Sequence, residues 1–132
     1  MKAAAKRKPI IEEYMNNSHI EEFRAQLLQL QGECSAARQA IDLFSQDDER
    51  PSDDADRSDR HMRMEENRNA LRRLAVQQNE IDAALRRIED GEYGYCEESG
   101  DEIGLARLRA NPLARLCIEA QVRQEHMGRL RA

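Results

Sequence analysis

Apolar residues in this chain first fall into one narrow stripe. Phe23, Leu27, Leu30, Cys34, Ala37, Ile41 and Phe44 stand alternately four and three apart, the heptad rhythm of a coiled coil. Just upstream, Asn17 or Ser18 can cap a helix, with Glu21 or Glu22 in its first turn. The stripe stops in an acidic stretch, residues 45–59, which Pro51 interrupts. A second stripe follows at Met64, Asn67, Leu71, Leu74, Gln78, Ile81, Leu85 and Ile88, with the same alternation. Gly91 comes just after it, where a helix C-terminus commonly ends. Two heptad segments with a short connection predict an antiparallel αα-hairpin. Each seam spans roughly 22–25 residues, on the order of 35 Å at 1.5 Å per residue. The seam is thin, with Cys34 and Ala37 in one arm and Asn67 and Gln78 in the other. Polar seam residues fix register at a cost in stability.

Beyond the second arm the pattern changes. Glycines at 91, 94, 100 and 104 mark turns in a small irregular unit that reaches Pro112. Leu113, Leu116, Cys117, Ala120 and Met127 then predict a final helix, ending in Arg129 and Arg131, cations suited to the negative end of a helix dipole. The expected fold is mainly α: a long antiparallel coiled-coil hairpin, a small degenerate zinc-ribbon-like globular base and a C-terminal helix. Its expected parts are an N-terminal arm packing on the base (1–16), the hairpin (17–90) with an acidic tip near 45–59, and the base with its final helix (91–132).

Composition narrows what such a fold does. At 132 residues the chain holds one compact domain, or a small one with an extension. Charged residues make up 36%, aromatics only 4%, and tryptophan is absent, which suits solvated helices better than a large core. A net charge of −5 argues against direct DNA binding, which needs a basic face. No run approaches a membrane span of roughly 18 apolar residues. Lys2, Lys6, Arg7 and Lys8 are followed by no apolar core of a secretory signal. With three cysteines, the expected compartment is the reducing cytoplasm.

The cysteines carry the most specific chemical pattern. Cys96 with Ser99, and Cys117 with Ala120, occupy the frame C-x2-C, a 17-residue spacer, C-x2-C, which filled with four cysteines is a strong zinc signature. Structural zinc takes four donors from Cys, His and carboxylate. Ser99 is a poor ligand and Ala120 none, while Glu97, Glu98, Glu119 and His126 do not stand at the vacated positions. No resident metal is expected; the small residues and two thiols are expected to pack together instead. A Cys96–Cys117 disulfide is the other outcome the spacing allows, disfavoured by the cytosol.

The tip, Pro51-Ser52-Asp53-Asp54-Ala55-Asp56-Arg57-Ser58-Asp59, has two readings. It is a solvated acidic turn supplying N-caps, or a carboxylate probe that reaches a recessed cationic or metal-bearing site. Asp53 and Asp56 share a face if the second helix begins there. No nucleophile, histidine base or oxyanion donor accompanies them, so no catalytic residue is assigned and an enzyme is not expected. Arg68, Arg72, Arg73, Arg86 and Arg87 alternate with acids and read as a solvated face. His19, His61 and His126 are isolated and receive no role.

Taken together, these residues resemble a known family. The run Glu89-Asp90-Gly91-Glu92-Tyr93-Gly94-Tyr95-Cys96-Glu97-Glu98-Ser99-Gly100-Asp101-Glu102-Ile103-Gly104 looks like the signature of the DksA/TraR family, as does Leu108-Arg109-Ala110-Asn111-Pro112-Leu113-Ala114-Arg115-Leu116-Cys117-Ile118. Glu13-Tyr14-Met15, Phe23 and Leu27 extend the likeness upstream, and Asp53-x-x-Asp56-Arg57-Ser58 is similar to the family's Asp-x-x-Asp-x-Ala tip. It covers roughly residues 12–130.

The resemblance implies a bacterial regulator that binds RNA polymerase, inserts its coiled coil into the secondary channel and sets the tip near the active site. Asp53, Asp56, Arg57 and Ser58 are then the functional tip. Initiation is modulated, ribosomal RNA-type promoters being inhibited and others activated, often together with guanosine tetraphosphate (ppGpp) in the stringent response. A monomer is expected. Cys96, Ser99, Cys117 and Ala120 become vestigial zinc positions, as in a zinc-independent, cysteine-poor member of the family. Where zinc-bearing members carry basic residues that help bind ppGpp at the polymerase interface, this chain has Glu80, Asn111 and Gln121. Loss of charge-assisted bonds worth about 1.5–3 kcal/mol each predicts weakened synergy. Two alternatives remain: a transcript-cleavage factor, whose acidic tip completes a polymerase metal site, and a generic coiled-coil adaptor.

Overall fold

In a computed structural model, the structure describes residues 13–47 and 54–131, with side-chain surroundings given except at 44–47 and 54–56. Among the described residues four helices follow in order: α1 (Asn17–Asp47), α2 (Asp54–Asp90), α3 (Leu105–Ala110) and α4 (Ile118–Arg131). Among the described residues the only β pairing is an isolated antiparallel bridge, Tyr95 to Glu102. The fold is mainly α and is built on an antiparallel coiled-coil hairpin, as the heptad spacing predicts. At 31 and 37 residues α1 and α2 exceed the apolar stripes, because charged turns with good helix propensity extend them.

The helix ends follow local chemistry. The cap of α1 is Asn16, one residue earlier than expected: its Oδ1 accepts from the His19 amide at 2.9 Å, and its carbonyl from the Ile20 amide at 3.0 Å. The end of α2 is a Schellman turn. Gly91 has φ +76°, its amide donates to the Ile88 carbonyl at 3.2 Å, and the Glu92 amide donates to Arg87 at 2.8 Å.

The chain divides into two compact units, the boundary falling within both long helices. One spans Leu28–Ala83. In it the expected seam is the buried side: Cys34 and Ile81 are buried, while Leu30, Ala37, Ile41, Leu71 and Leu74 are half-buried. Polar seam groups pair across the helices. The Cys34 thiol donates to the Leu74 carbonyl at 3.3 Å, Arg38 to the Gln78 side chain at 2.8 Å, and Gln31 to Asp82 at 3.3 Å. Such pairs favour one register, because a slip would strand the buried Cys34 thiol and unpair the polar groups beside it. Met64 departs from expectation at 45% exposed.

The other unit runs up to Leu27 and resumes at Ala84. Its core joins Phe23 and Leu27 of α1, Ala84 and Ile88 of α2, and Tyr93, Cys96, Ile103, Leu108, Ala114, Cys117 and Ala120. Phe23 and Tyr93 lie 5.6 Å apart, ring to ring. Tyr93 donates to the Pro112 carbonyl at 2.7 Å, and burial pushes its phenol well above the usual range. Two local expectations change. Residues 91–112 are not wholly irregular, since α3 forms there and buries Leu108. The final helix begins at Ile118, so Leu113 and Leu116 precede it in turns, and Met127 is half exposed on it. Asn111 breaks the helix there: its carbonyl accepts from Ala114 and its side chain from Leu113.

Candidate functional site

The expected site residues fall into two groups. Of the tip, Asp53 lies outside the described residues. Asp56 falls in the first turn of α2, where an acid favours the positive helix end, and its side chain lies outside the described part. Arg57 and Ser58 follow on α2 and are exposed. The shared face expected for Asp53 and Asp56 therefore lies outside what the structure describes.

The second group comes together. Residues 94–103 form a knuckle: the Cys96 amide donates to the Asp101 carbonyl at 2.7 Å, Ile103 to Gly94 at 2.8 Å, and Gly100 to Cys96 at 2.9 Å. The Glu97 amide ties it to the Arg115 carbonyl at 2.9 Å, which brings Cys117 to Cys96. Cys96 and Cys117 are 4% and 5% exposed, and Ala120 is fully buried. The Ser99 hydroxyl lies 3.8 Å from the Cys117 sulfur. All three cysteines are free thiols. Burial pushes the Cys96 thiol up. Hydrogen bonds from the Ser99 side chain and from the backbone of Cys117, Ser99 and Glu98 outweigh it, bringing the thiol down to about 6.

These residues do not fit a structural zinc ion. Two thiols, a hydroxyl and a methyl fall short of its four donors. Nearby carboxylates are committed elsewhere. Glu97 accepts from Arg87 at 3.4 Å and Arg115 at 3.1 Å, while Glu98 accepts from Arg123 at 2.7 Å and Gln124 at 3.2 Å. Glu119 and His126 are exposed on α4. Among the described residues no three His, Cys, Asp or Glu side chains are gathered as a metal site.

The segment before α1 holds the knuckle through specific polar contacts. The Tyr14 hydroxyl donates to the Gly94 carbonyl at 2.6 Å and accepts from the Gly104 amide at 3.0 Å, clamping both ends of the knuckle. Burial raises its pKa. Met15 packs on Gly94, so the described end of the expected arm, 13–16, does contact the base. Arg87 also departs from the solvated face expected for it: its side chain is 13% exposed beside Glu97, and burial lowers its pKa. Arg68 and Arg72 do make exposed local pairs, with Glu65 and Asn69.

Of the three positions singled out for ppGpp, Asn111 and Gln121 line one cavity of about 380 Å³. Gln121 accepts from Arg107 and donates to Glu125, so its amide is already engaged. Glu80 is on α2, in the hairpin unit. No helix among the described residues is long and apolar enough to cross a membrane.

Residues 91–126 match the prokaryotic dksA/traR C4-type zinc finger. The chain is 40% identical over 124 residues to the RNA polymerase-binding transcription factor DksA of Caulobacter vibrioides (strain NA1000 / CB15N), covering 90% of this chain and 84% of that protein. It is 33% identical over 127 residues to the protein of that name in Escherichia coli K12, covering 89% and 81%. The solved structure of transcription factor DksA2 from Pseudomonas aeruginosa is similar with a TM-score of 0.83 at 40% identity, over 88% of this chain and 90% of that one. The hairpin, the knuckle and these likenesses together show that the chain belongs to the DksA/TraR family.

Proposed function

We propose that this chain binds RNA polymerase and regulates transcription initiation. The observation that carries the proposal is the 40% identity, along nearly the whole chain, to a relative named as an RNA polymerase-binding transcription factor. The coiled-coil hairpin enters the secondary channel, and Asp53 and Asp56, with Arg57 and Ser58, act near the active site. The polymerase supplies the chemistry; the chain supplies carboxylates at the start of α2 and is not an enzyme. Initiation is inhibited at ribosomal RNA-type promoters and activated at others, in the cytoplasm, by a monomer that does not itself bind DNA. Ser58, where the family motif has alanine, adds a hydroxyl of small volume and preserves the tip.

The base holds without zinc, its knuckle closed by Tyr14 and packed around Cys96, Cys117 and Ala120. ppGpp acts with the protein only weakly, because Glu80, Asn111 and Gln121 bring no positive charge to a phosphate-rich ligand. In vitro transcription from a ribosomal promoter tests the whole reading. Inhibition is expected with or without a zinc chelator, and ppGpp is expected to add little. Absence of any effect on initiation overturns it, and so does stimulated RNA cleavage in a backtracked complex.

A further inference from the structure

Met15 holds a backbone conformation that its side chain disfavours. Its φ is +56°, in the left-handed region, and among the described residues it is the one non-glycine residue there. Such a conformation persists only where its surroundings over-determine it. Two contacts do so here. The Tyr14 hydroxyl is held between the Gly94 carbonyl and the Gly104 amide, at 2.6 and 3.0 Å. The Met15 side chain packs against the buried core of the base and lies across Gly94. A Cβ on Gly94 would stand 2.8 Å from Cγ of Met15 and 3.0 Å from its Cε. Cγ and Cε are the two carbons bonded to the sulfur, so the thioether itself makes the contact with the knuckle backbone.

Oxidation would change that contact. A thioether is apolar and polarizable and fits closely; a sulfoxide carries a polar S–O group and one more atom, which needs water. Met15 is half-buried, so an oxidant in solution reaches it. Met62, Met64 and Met127 are exposed, and an oxygen added to them meets solvent. Of the described methionines, Met15 is the one packed on the base core.

We propose that Met15 is an oxidation site that latches the knuckle: as the thioether it keeps Tyr14 seated, and as the sulfoxide it unseats it. The oxidant is hydrogen peroxide. One peroxide oxygen passes to sulfur, the S–O bond forms as the O–O bond breaks, and the rest of the peroxide leaves as water. Sulfur gives up two electrons and the peroxide takes them. The strained turn at 14–15 then relaxes, Tyr14 leaves Gly94 and Gly104, and the buried Cys96 thiol opens to solvent. Methionine sulfoxide reductases reverse the oxidation, so the latch can close again. The inference goes beyond polymerase binding and is read without polymerase.

The test treats the reduced full-length protein with hydrogen peroxide, removes the peroxide, and reverses thiol oxidation with dithiothreitol, which leaves sulfoxides in place. Peptide mass mapping is expected to find one added oxygen at Met15. The oxidised protein is expected to melt several degrees lower, and iodoacetamide to label Cys96 several-fold faster. Methionine sulfoxide reductases are expected to restore both values. Met15→Leu, close in volume, is expected to keep its melting temperature through the same treatment, although Met62, Met64 and Met127 still oxidise. The mapping and the reductase reversal use the wild type alone, so they stand even if the variant fails to fold. Met15 left unmodified while Met62, Met64 and Met127 are converted overturns the inference. A Met15 sulfoxide with unchanged melting and unchanged Cys96 labelling overturns it too, as does an equal loss of stability in Met15→Leu.

Discussion

Gly94 shows how much a single missing atom decides. Its φ is +95°, and a Cβ there would stand 2.8 Å from Cγ of Met15 and 3.1 Å from the Tyr14 hydroxyl. Gly94→Ala therefore both strains the backbone and pushes off the clamp. It is expected to destabilise the base by about 1–3 kcal/mol in urea unfolding followed by circular dichroism. Cys96 sets a pH dependence. Its thiol is held at about 6, below the ordinary 9.0. A depressed acid contributes stability that is complete above its unfolded pKa and is lost as pH falls through its folded one. Melting temperature is thus expected to climb between about pH 6 and 9, and Cys96→Ser to flatten that climb. The cysteine spacing was legible in the sequence. The thiol's low pKa was not, since it depends on amides and a hydroxyl from both halves of the frame.

Among the elements, the coiled coil was the most legible. Its spacing states which residues face the partner helix: Cys34 and Ile81 are buried, and most of the other seam positions between Leu28 and Ala83 are half-buried. Ala84 was missed, although it is fully buried; it falls one residue before the heptad position Leu85, in the part of α2 that packs on the base core. Ile81→Ala in the seam is expected to cost about 2–5 kcal/mol, read as a loss of helical signal at lower urea. The knuckle invites the reverse change. Ser99→Cys combined with Ala120→Cys supplies the two absent donors on a backbone that already brings Cys96 and Cys117 together. One equivalent of tightly held zinc is expected by metal analysis, and thermal stability should then become chelator-sensitive. The helix α3 was illegible because six residues carry too little periodicity to stand out from the glycines around them.

For the whole molecule, family membership rests on matches that run through nearly the entire chain, and the proposed activity belongs to the tip. Asp56→Asn removes one charge from the first turn of α2 at nearly constant volume. Polymerase binding is expected to persist while the effect on initiation is lost; an adaptor would keep its activity. The sequence by itself determined the mainly helical class, the antiparallel pairing, the acidic connection and a four-position frame with two thiols. Periodicity and spacing are local, and local order is readable from residue types. The tertiary structure alone decided that Tyr14 closes the knuckle from some 80 residues away. It also decided that Arg87 lies nearly buried beside Glu97, and that the Ser99 hydroxyl meets the Cys117 sulfur. Those contacts join segments whose sequences carry no mark of one another, and they form because packing and the pairing of buried polar groups leave few other arrangements.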